Sequence, residues 1–124
     1  MSNETRYNIH FEDRGEYLYV LVSGEEMTAA ISAAYWNEIA GKCFDLERNK
    51  ILIEKNFSQS VSAPEMLQMS EHLGHLLPTR RIAFVDRYQH AEINELGKRL
   101  ARNRDVMLQT FENTQDAERW LFAN

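Results

Sequence analysis

The sequence predicts an α/β fold with a mixed, mostly parallel sheet, and three observations support this prediction. Two strand-like runs come first, at residues 7–12 and 17–22. Helix-like and strand-like segments then alternate to the end of the chain. Residues 51–53 and 82–85 are apolar at every position, which indicates strands covered on both faces. We therefore expect the order ββαβαβαβα, with four helices packed on a sheet of four or five strands.

The two opening strands are predicted to form a β-hairpin. Their aromatic and β-branched side chains suit strands. The segment between them, residues 13–15, ends in Gly15, which adopts a positive φ at little cost and so suits a tight turn. The second run is apolar throughout, and we expect both of its faces to be covered.

The first helix is predicted over about residues 28–42. Ile31, Tyr35 and Ile39 recur at helical spacing, and Cys43 extends this apolar line. A short buried strand at residues 50–54 and a loop at residues 55–62 are expected to follow.

A capping box is predicted to begin the second helix. Ser62 is followed three residues later by Glu65, the spacing at which the two residues satisfy each other's backbone amides. Pro64 suits a first helical turn, and Pro78 ends the helix. The side chains expected to face the core are Met66, Met69, Leu73, Leu76 and Leu77.

The remaining elements continue the alternation. We expect a strand at residues 81–86, a helix at 90–102, a strand at 106–111 and a last helix capped by Asn113 or Thr114. The inward side chains of these two helices are predicted to be Ile93, Leu96, Leu100, Ala117 and Leu121, with Trp120 alongside.

Length and composition indicate one ordinary globular domain, residues 1–124, large enough to bury a core. The formal net charge of -5 disfavours nucleic acid as a partner. The single cysteine, Cys43, excludes an intrachain disulfide and favours a reducing compartment. No apolar signal-peptide core begins the sequence, and no run approaches the roughly 20 apolar residues of a membrane span, so we expect a cytoplasmic protein.

The chain resembles the SpoIIAA-like proteins of the STAS superfamily over about residues 7–122. Residues 81–86 followed by a helix, and residues 106–111 leading into 116–121 with Trp120, carry the resemblance. It implies a non-enzymatic regulatory module that binds a protein partner or a small apolar or anionic ligand, with a homodimer as a further possibility. The related CRAL-TRIO fold implies an alternative, a carrier of an apolar ligand or lipid.

A candidate phospho-switch also follows from the resemblance. Regulatory members of the superfamily carry a phosphorylatable serine in an Asp-Ser-Ser-Gly-like stretch between the third strand and the second helix. Here that stretch holds Ser58 and Ser60, without the preceding aspartate and the following glycine. A phosphate on either serine would lie near the free amides at the start of the second helix. The alternative is a solvated connecting loop in which Ser62 serves as the cap.

Polar side chains are predicted at the carboxyl ends of the parallel strands, where open α/β sheets bind ligands. The candidate ligand rim consists of Glu54, Asn56, Asp86, Arg87, Tyr88 and His90. Asp86 and His90 suit an acid–base pair, but no nucleophile motif, metal motif or phosphate-binding loop joins them. We therefore expect no enzymatic activity and no cofactor, and ordinary loop polarity is the alternative interpretation.

Two further polar clusters were weighed as sites. His72 and His75 share a helix face at a spacing that metal ligands use, but no second ligand pair accompanies them. We expect a solvent-facing stripe and no metal site. A basic cluster at the end of the third helix suits a phosphate-bearing ligand or an acidic partner, or else a solvated helix face that complements the helix dipole. It comprises Lys98, Arg99, Arg102 and Arg104.

Overall fold

A five-stranded mixed sheet with four helices makes up the computed structural model, which describes residues 7–123. The strands are β1 (Asn8–Asp13), β2 (Leu18–Gly24), β3 (Lys50–Phe57), β4 (Arg81–Asp86) and β5 (Met107–Phe111). The helices are α1 (Ala29–Leu46), α2 (Ala63–Leu76), α3 (Ala91–Arg102) and α4 (Thr114–Phe122). The predicted order ββαβαβαβα is confirmed. The predicted domain, residues 1–124, extends outside the described residues at both ends.

The strands lie in chain order, β1-β2-β3-β4-β5. Only the β1–β2 pair is antiparallel, and the other three pairs are parallel. At the hairpin turn Gly15 has a φ of 89°, and its amide donates to the Asp13 carboxylate over 3.1 Å. The predicted turn is confirmed, because glycine tolerates this φ without steric cost.

The two faces of the sheet carry different helices. Alternate side chains of β2, β3 and β4, among them Val20, Ile53 and Phe84, pack with α1, α2 and α3 in one core. The intervening side chains of the same strands, which include Leu52 and Ala83, pack with α4 in a second, smaller core. This alternation follows from the two-residue period of a strand. Three helices therefore enclose one face and a single short helix covers part of the other.

Two predicted boundaries were too short. α1 continues to Leu46 and ends at Glu47, whose φ of 58° forms a left-handed cap. β3 continues to Phe57, because residues Lys55, Asn56 and Phe57 pair in register with the end of β2. The polar residues of this stretch suggest a loop, but pairing with β2, and for Lys55 also with β4, keeps the backbone extended.

The helix starts agree closely with the sequence. The Ser62 hydroxyl accepts from the Glu65 amide, and the Glu65 carboxylate accepts from the Ser62 amide over 2.9 Å, so the predicted capping box is confirmed. Asn113 caps α4, and its side chain accepts from the Asp116 amide. In α3 the predicted inward side chains Ile93, Leu96 and Leu100 are only half-buried.

Candidate functional site

The carboxyl edge of the sheet brings together the β3–α2 loop, residues 58–62, and the β4–α3 loop, residues 87–90. Because β3 and β4 are parallel neighbours, their ends meet at one edge and the two loops lie side by side. His90 here contacts Asp86, with which the sequence groups it in the ligand rim, and also Ser58, a candidate from the separate phospho-switch group.

Asp86 is the centre of this edge. Its side chain is almost fully buried and accepts four hydrogen bonds. The donors are the backbone amides of Tyr88 and His90, both at 3.1 Å, the His90 ring Nδ1 at 2.7 Å and the Asn94 side-chain amide at 2.9 Å. Burial by itself raises the pKa of Asp86, but the hydrogen bonds from Asn94 and His90 outweigh it and lower the pKa below its ordinary value. The carboxylate thus fixes the β4–α3 loop.

His90 links the two loops. Its Nδ1 contacts the Asp86 carboxylate, and its Nε2 lies 3.0 Å from the backbone carbonyl of Ser58. Both partners are acceptors, so both contacts are hydrogen bonds when the imidazole carries a proton on each nitrogen. The Gln59 side chain adds a second tether, accepting from the Met27 amide over 3.0 Å. The Ser58 hydroxyl takes no part in the contact with His90, so this arrangement is a structural clamp and lacks the geometry of an activated nucleophile.

Glu54 and Arg87 lie on the opposite face of the sheet, whereas the Tyr88 ring lies near His90, with 6.2 Å between the ring centroids. Glu54 accepts from the Tyr19 hydroxyl over 2.6 Å and pairs with Arg87 Nε over 3.0 Å. Arg14 stacks over the Tyr19 ring at 4.1 Å from its centroid. Burial and the Glu54 hydrogen bond raise the pKa of Tyr19 to about 12. Asn56 shares this face by the two-residue period of β3. The predicted rim is therefore two clusters separated by the sheet, a division that residue order alone did not reveal.

The loop serines differ in exposure. Ser58 is exposed, Ser60 is half-buried, and Ser62 is committed to the capping box. The start of α2 therefore uses the Ser62 hydroxyl, as the sequence predicts. It does not use the hydroxyls of Ser58 and Ser60.

The paired histidines of α2 make unrelated contacts. His72 Nε2 lies 2.8 Å from the Asn37 side-chain oxygen on α1, whereas His75 Nδ1 lies 2.9 Å from the backbone carbonyl of Glu71. Within residues 7–123 no group of three or more histidine, cysteine or acidic side chains is arranged to hold a metal ion.

The basic cluster is likewise divided. Arg104, in the turn that follows α3, donates to the Leu100 carbonyl over 3.1 Å and pairs loosely with Glu71 at 3.5 Å. Arg99 and Arg102 are exposed in the last turn of α3, where cations complement the helix dipole.

An acidic groove of about 450 Å³ adjoins Asp86, between α3, β5 and the start of α4. Its lining includes the carboxylates of Glu95, Glu112 and Asp116. Negative charge on several sides disfavours an anionic ligand there. The anionic ligand expected from sequence therefore has a poor electrostatic match at this part of the rim.

Lys55 is the functional candidate that the sequence interpretation missed. It is only 5% exposed and lies on the face of β3 covered by α1, α2 and α3. Burial lowers the pKa of Lys55, and the nearby Asp86 charge offsets part of this effect. The signal was present in the alternation Ile51, Ile53, Lys55, Phe57, which places the lysine among core side chains once β3 is extended to Phe57.

A small cavity of about 60 Å³ lies next to Lys55, between the sheet and the three helices. Tyr35, Met66, Leu73 and Phe84 form much of its apolar lining. An empty protein cavity of roughly 150 Å³ holds one benzene. The cavity is therefore far too small for a lipid tail.

Comparison with known proteins identifies the fold. No protein-family model and no curated protein matches the chain. Two solved structures are similar over 98% of this chain and 98% of theirs. One is an uncharacterized protein of the DUF3478 family with a SpoIIAA-like fold from Shewanella loihica PV-4, at a TM-score of 0.56 and 19% identity. The other is an anti-sigma factor antagonist from Mycobacterium paratuberculosis, at a TM-score of 0.62 and 14% identity.

The chain has a SpoIIAA-like fold. This confirms the resemblance read from residues 81–86 and 106–121 as far as architecture is concerned. Identities of 14% and 19% establish the fold alone, since one fold hosts many functions. Neither similar structure is described as a lipid carrier, and the cavity beside Lys55 is too small for a lipid tail. The CRAL-TRIO alternative is therefore not supported. None of the helices within residues 7–123 is both long and apolar enough to cross a membrane.

Proposed function

We propose that this SpoIIAA-like protein is a non-catalytic regulatory module that binds a protein partner at the carboxyl edge of its sheet. The binding surface consists of Ser58 and Tyr88. The observation that carries the proposal is the exposure of Tyr88, 54%, on a short loop that the buried Asp86 holds in place. Tyrosine is one of the residue types most enriched at the energetic centres of protein interfaces.

Rigidity of this edge favours binding. Asp86 fixes the β4–α3 loop, and His90 fixes the β3–α2 loop through the Ser58 carbonyl. A surface that is already ordered loses less conformational entropy on association than a mobile one. Support from outside the chain comes from the similar structure described as an anti-sigma factor antagonist.

The exposed Ser58 gives this surface a means of regulation. Its hydroxyl is accessible, and a phosphate there would add negative charge and strong acceptor oxygens near the amino terminus of α2. Ser60 is half-buried and is the second candidate. Ser62 is excluded as the switch because modification would break the capping box.

The proposal is tested by identifying the partner and then measuring its affinity for variants. Affinity purification from the native host with wild-type protein as bait identifies the partner, which is then purified and titrated. Tyr88→Ala should weaken binding at least tenfold. Phe44→Ala is the matched control, because Phe44 is also an exposed aromatic, at 78%, but lies at the far end of α1. Equal affinity of wild type and Tyr88→Ala would contradict the proposed surface.

Two further measurements extend this test. Ser58→Asp or Ser60→Asp should change the measured affinity at least fivefold if a serine is the switch, and mass spectrometry of native protein should find phosphate at that residue. Light scattering of wild type and Tyr88→Ala distinguishes a different partner from a second copy of this chain, since a homodimer through this edge would dissociate in the variant.

A further inference from the structure

The Lys55 ammonium is buried without a strong partner. It points along the covered face of the sheet, with Nζ 5.6 Å from the centroid of the Phe84 ring. Across the described residues it donates no hydrogen bond and has no carboxylate within ion-pair distance. Asp86, its neighbour in the β3–β4 pairing, directs its carboxylate oxygens to four other donors. A buried charge left in this way is costly unless something else neutralises it.

A second donor lines the same cavity. The Tyr35 hydroxyl lies 3.5 Å from the Ser32 hydroxyl, a long contact in which either group can donate. Ser70 also lines the cavity, but its hydroxyl already donates to the Leu67 carbonyl over 2.8 Å. The cavity thus presents two donors without a strong acceptor among the described residues, Lys55 and Tyr35.

The size of the cavity limits what could supply that acceptor. Its volume of about 60 Å³ is about four to six times the roughly 10–15 Å³ that one water molecule requires. Ser32 and Asn94 also line the cavity, and the remaining lining is apolar and includes Val61, Met66 and Leu108. An occupant with one anionic end and a short apolar end, of about four or five non-hydrogen atoms, matches this lining.

We propose that this cavity binds a small monocarboxylate, such as acetate or propionate, whose carboxylate accepts hydrogen bonds from Lys55 and Tyr35. The alkyl group contacts the methionine and leucine side chains between the sheet and helices α2 and α3. The ligand supplies a negative charge close to the ammonium, which Asp86 provides only from beyond ion-pair distance, and a strong acceptor for the tyrosine hydroxyl. This site is separate from the partner-binding surface proposed above and does not depend on it.

Thermal unfolding of the full chain in sodium acetate, sodium propionate or sodium chloride, at equal ionic strength and pH, tests the proposal. A ligand that binds the native state raises the Tm with the logarithm of its concentration. The carboxylates should raise the Tm of wild type more than chloride does. The effect should vanish in Lys55→Met and persist in Lys50→Met, a matched control on the same strand whose side chain is only partly buried.

A second variant keeps the test decisive if Lys55→Met does not fold. Tyr35→Phe retains the buried ring and removes only the hydroxyl, so it should weaken carboxylate binding severalfold. Titration of wild type with carboxyl-labelled ¹³C-acetate, followed by NMR, measures binding directly and should show saturable shifts. Equal responses to acetate and chloride in wild type, or an undiminished acetate response in Lys55→Met, would overturn the assignment.

Discussion

His90 joins two loops at the carboxyl edge of the sheet, with its Nε2 3.0 Å from the Ser58 carbonyl and its Nδ1 2.7 Å from the buried Asp86 carboxylate. The β3–α2 loop is therefore held by a side chain from the start of α3, 32 residues later in the chain. One imidazole ring therefore links the two loops of this edge.

Replacing His90 with alanine should loosen the β3–α2 loop. The Ser58 carbonyl loses its partner, and the buried Asp86 carboxylate loses its shortest hydrogen bond. We expect the free energy of unfolding to fall by about 1–3 kcal/mol, the usual cost of leaving a buried acceptor unsatisfied. Amide hydrogen exchange over residues 58–62 should become faster. His75→Ala is the control, because His75 is exposed and contacts only its own helix; equal exchange in both variants would exclude the clamp.

Asp86 should make stability fall in acid. Its folded pKa lies below the unfolded value, so its contribution is fully present above the unfolded pKa and is lost as the pH falls through the folded pKa. Urea unfolding of wild type and Asp86→Asn from pH 7 to pH 2 measures the difference. We expect the advantage of wild type to be constant above about pH 5 and to shrink below about pH 4. A difference independent of pH would show that the carboxylate charge contributes nothing.

Lys55 should likewise make stability rise with pH, but on the alkaline side. Its folded pKa lies below the ordinary value of 10.5, so the unfolded state binds more protons between the two pKa values and stability rises with pH across that window. Without added carboxylate, wild type should gain stability relative to Lys55→Met as the pH rises toward 10.5. Measuring the difference between the two proteins cancels the titration of other groups. A flat difference from pH 7 to pH 10 would mean that burial leaves the ammonium unperturbed.

Core truncations on both sides of the larger core should be strongly destabilising. Ile53 on β3 is fully buried, and Leu73 on α2 is 5% exposed. We expect Ile53→Ala and Leu73→Ala each to lower the free energy of unfolding by about 2–5 kcal/mol, because each leaves a cavity. Leu67→Ala, in the same helix but 44% exposed, should cost far less. If chemical denaturation finds all three variants equally stable, Ile53 and Leu73 do not lie on the buried faces of β3 and α2.

Local and periodic features of this protein were determined by the sequence itself. The capping box at Ser62 and Glu65 depends on groups three residues apart, and the buried faces of α1 and α2 follow from helical spacing. The order of elements predicted the parallel sheet, since parallel strands require crossovers. These interactions join residues that are close together in the sequence, so the pattern of residues predicts them.

Only the tertiary structure decided which distant residues meet. Strand pairing extended β3 to Phe57 and thereby placed Lys55 inside the core, although the sequence predicts that a loop begins at Lys55. The same pairing divided the predicted rim, because successive side chains of a strand point to opposite faces. It brought His90 to the Ser58 carbonyl, a contact with no signal in the sequence since any residue supplies a backbone carbonyl. Buried charge and loop contacts arise from packing across the sheet, and residue spacing does not specify that packing.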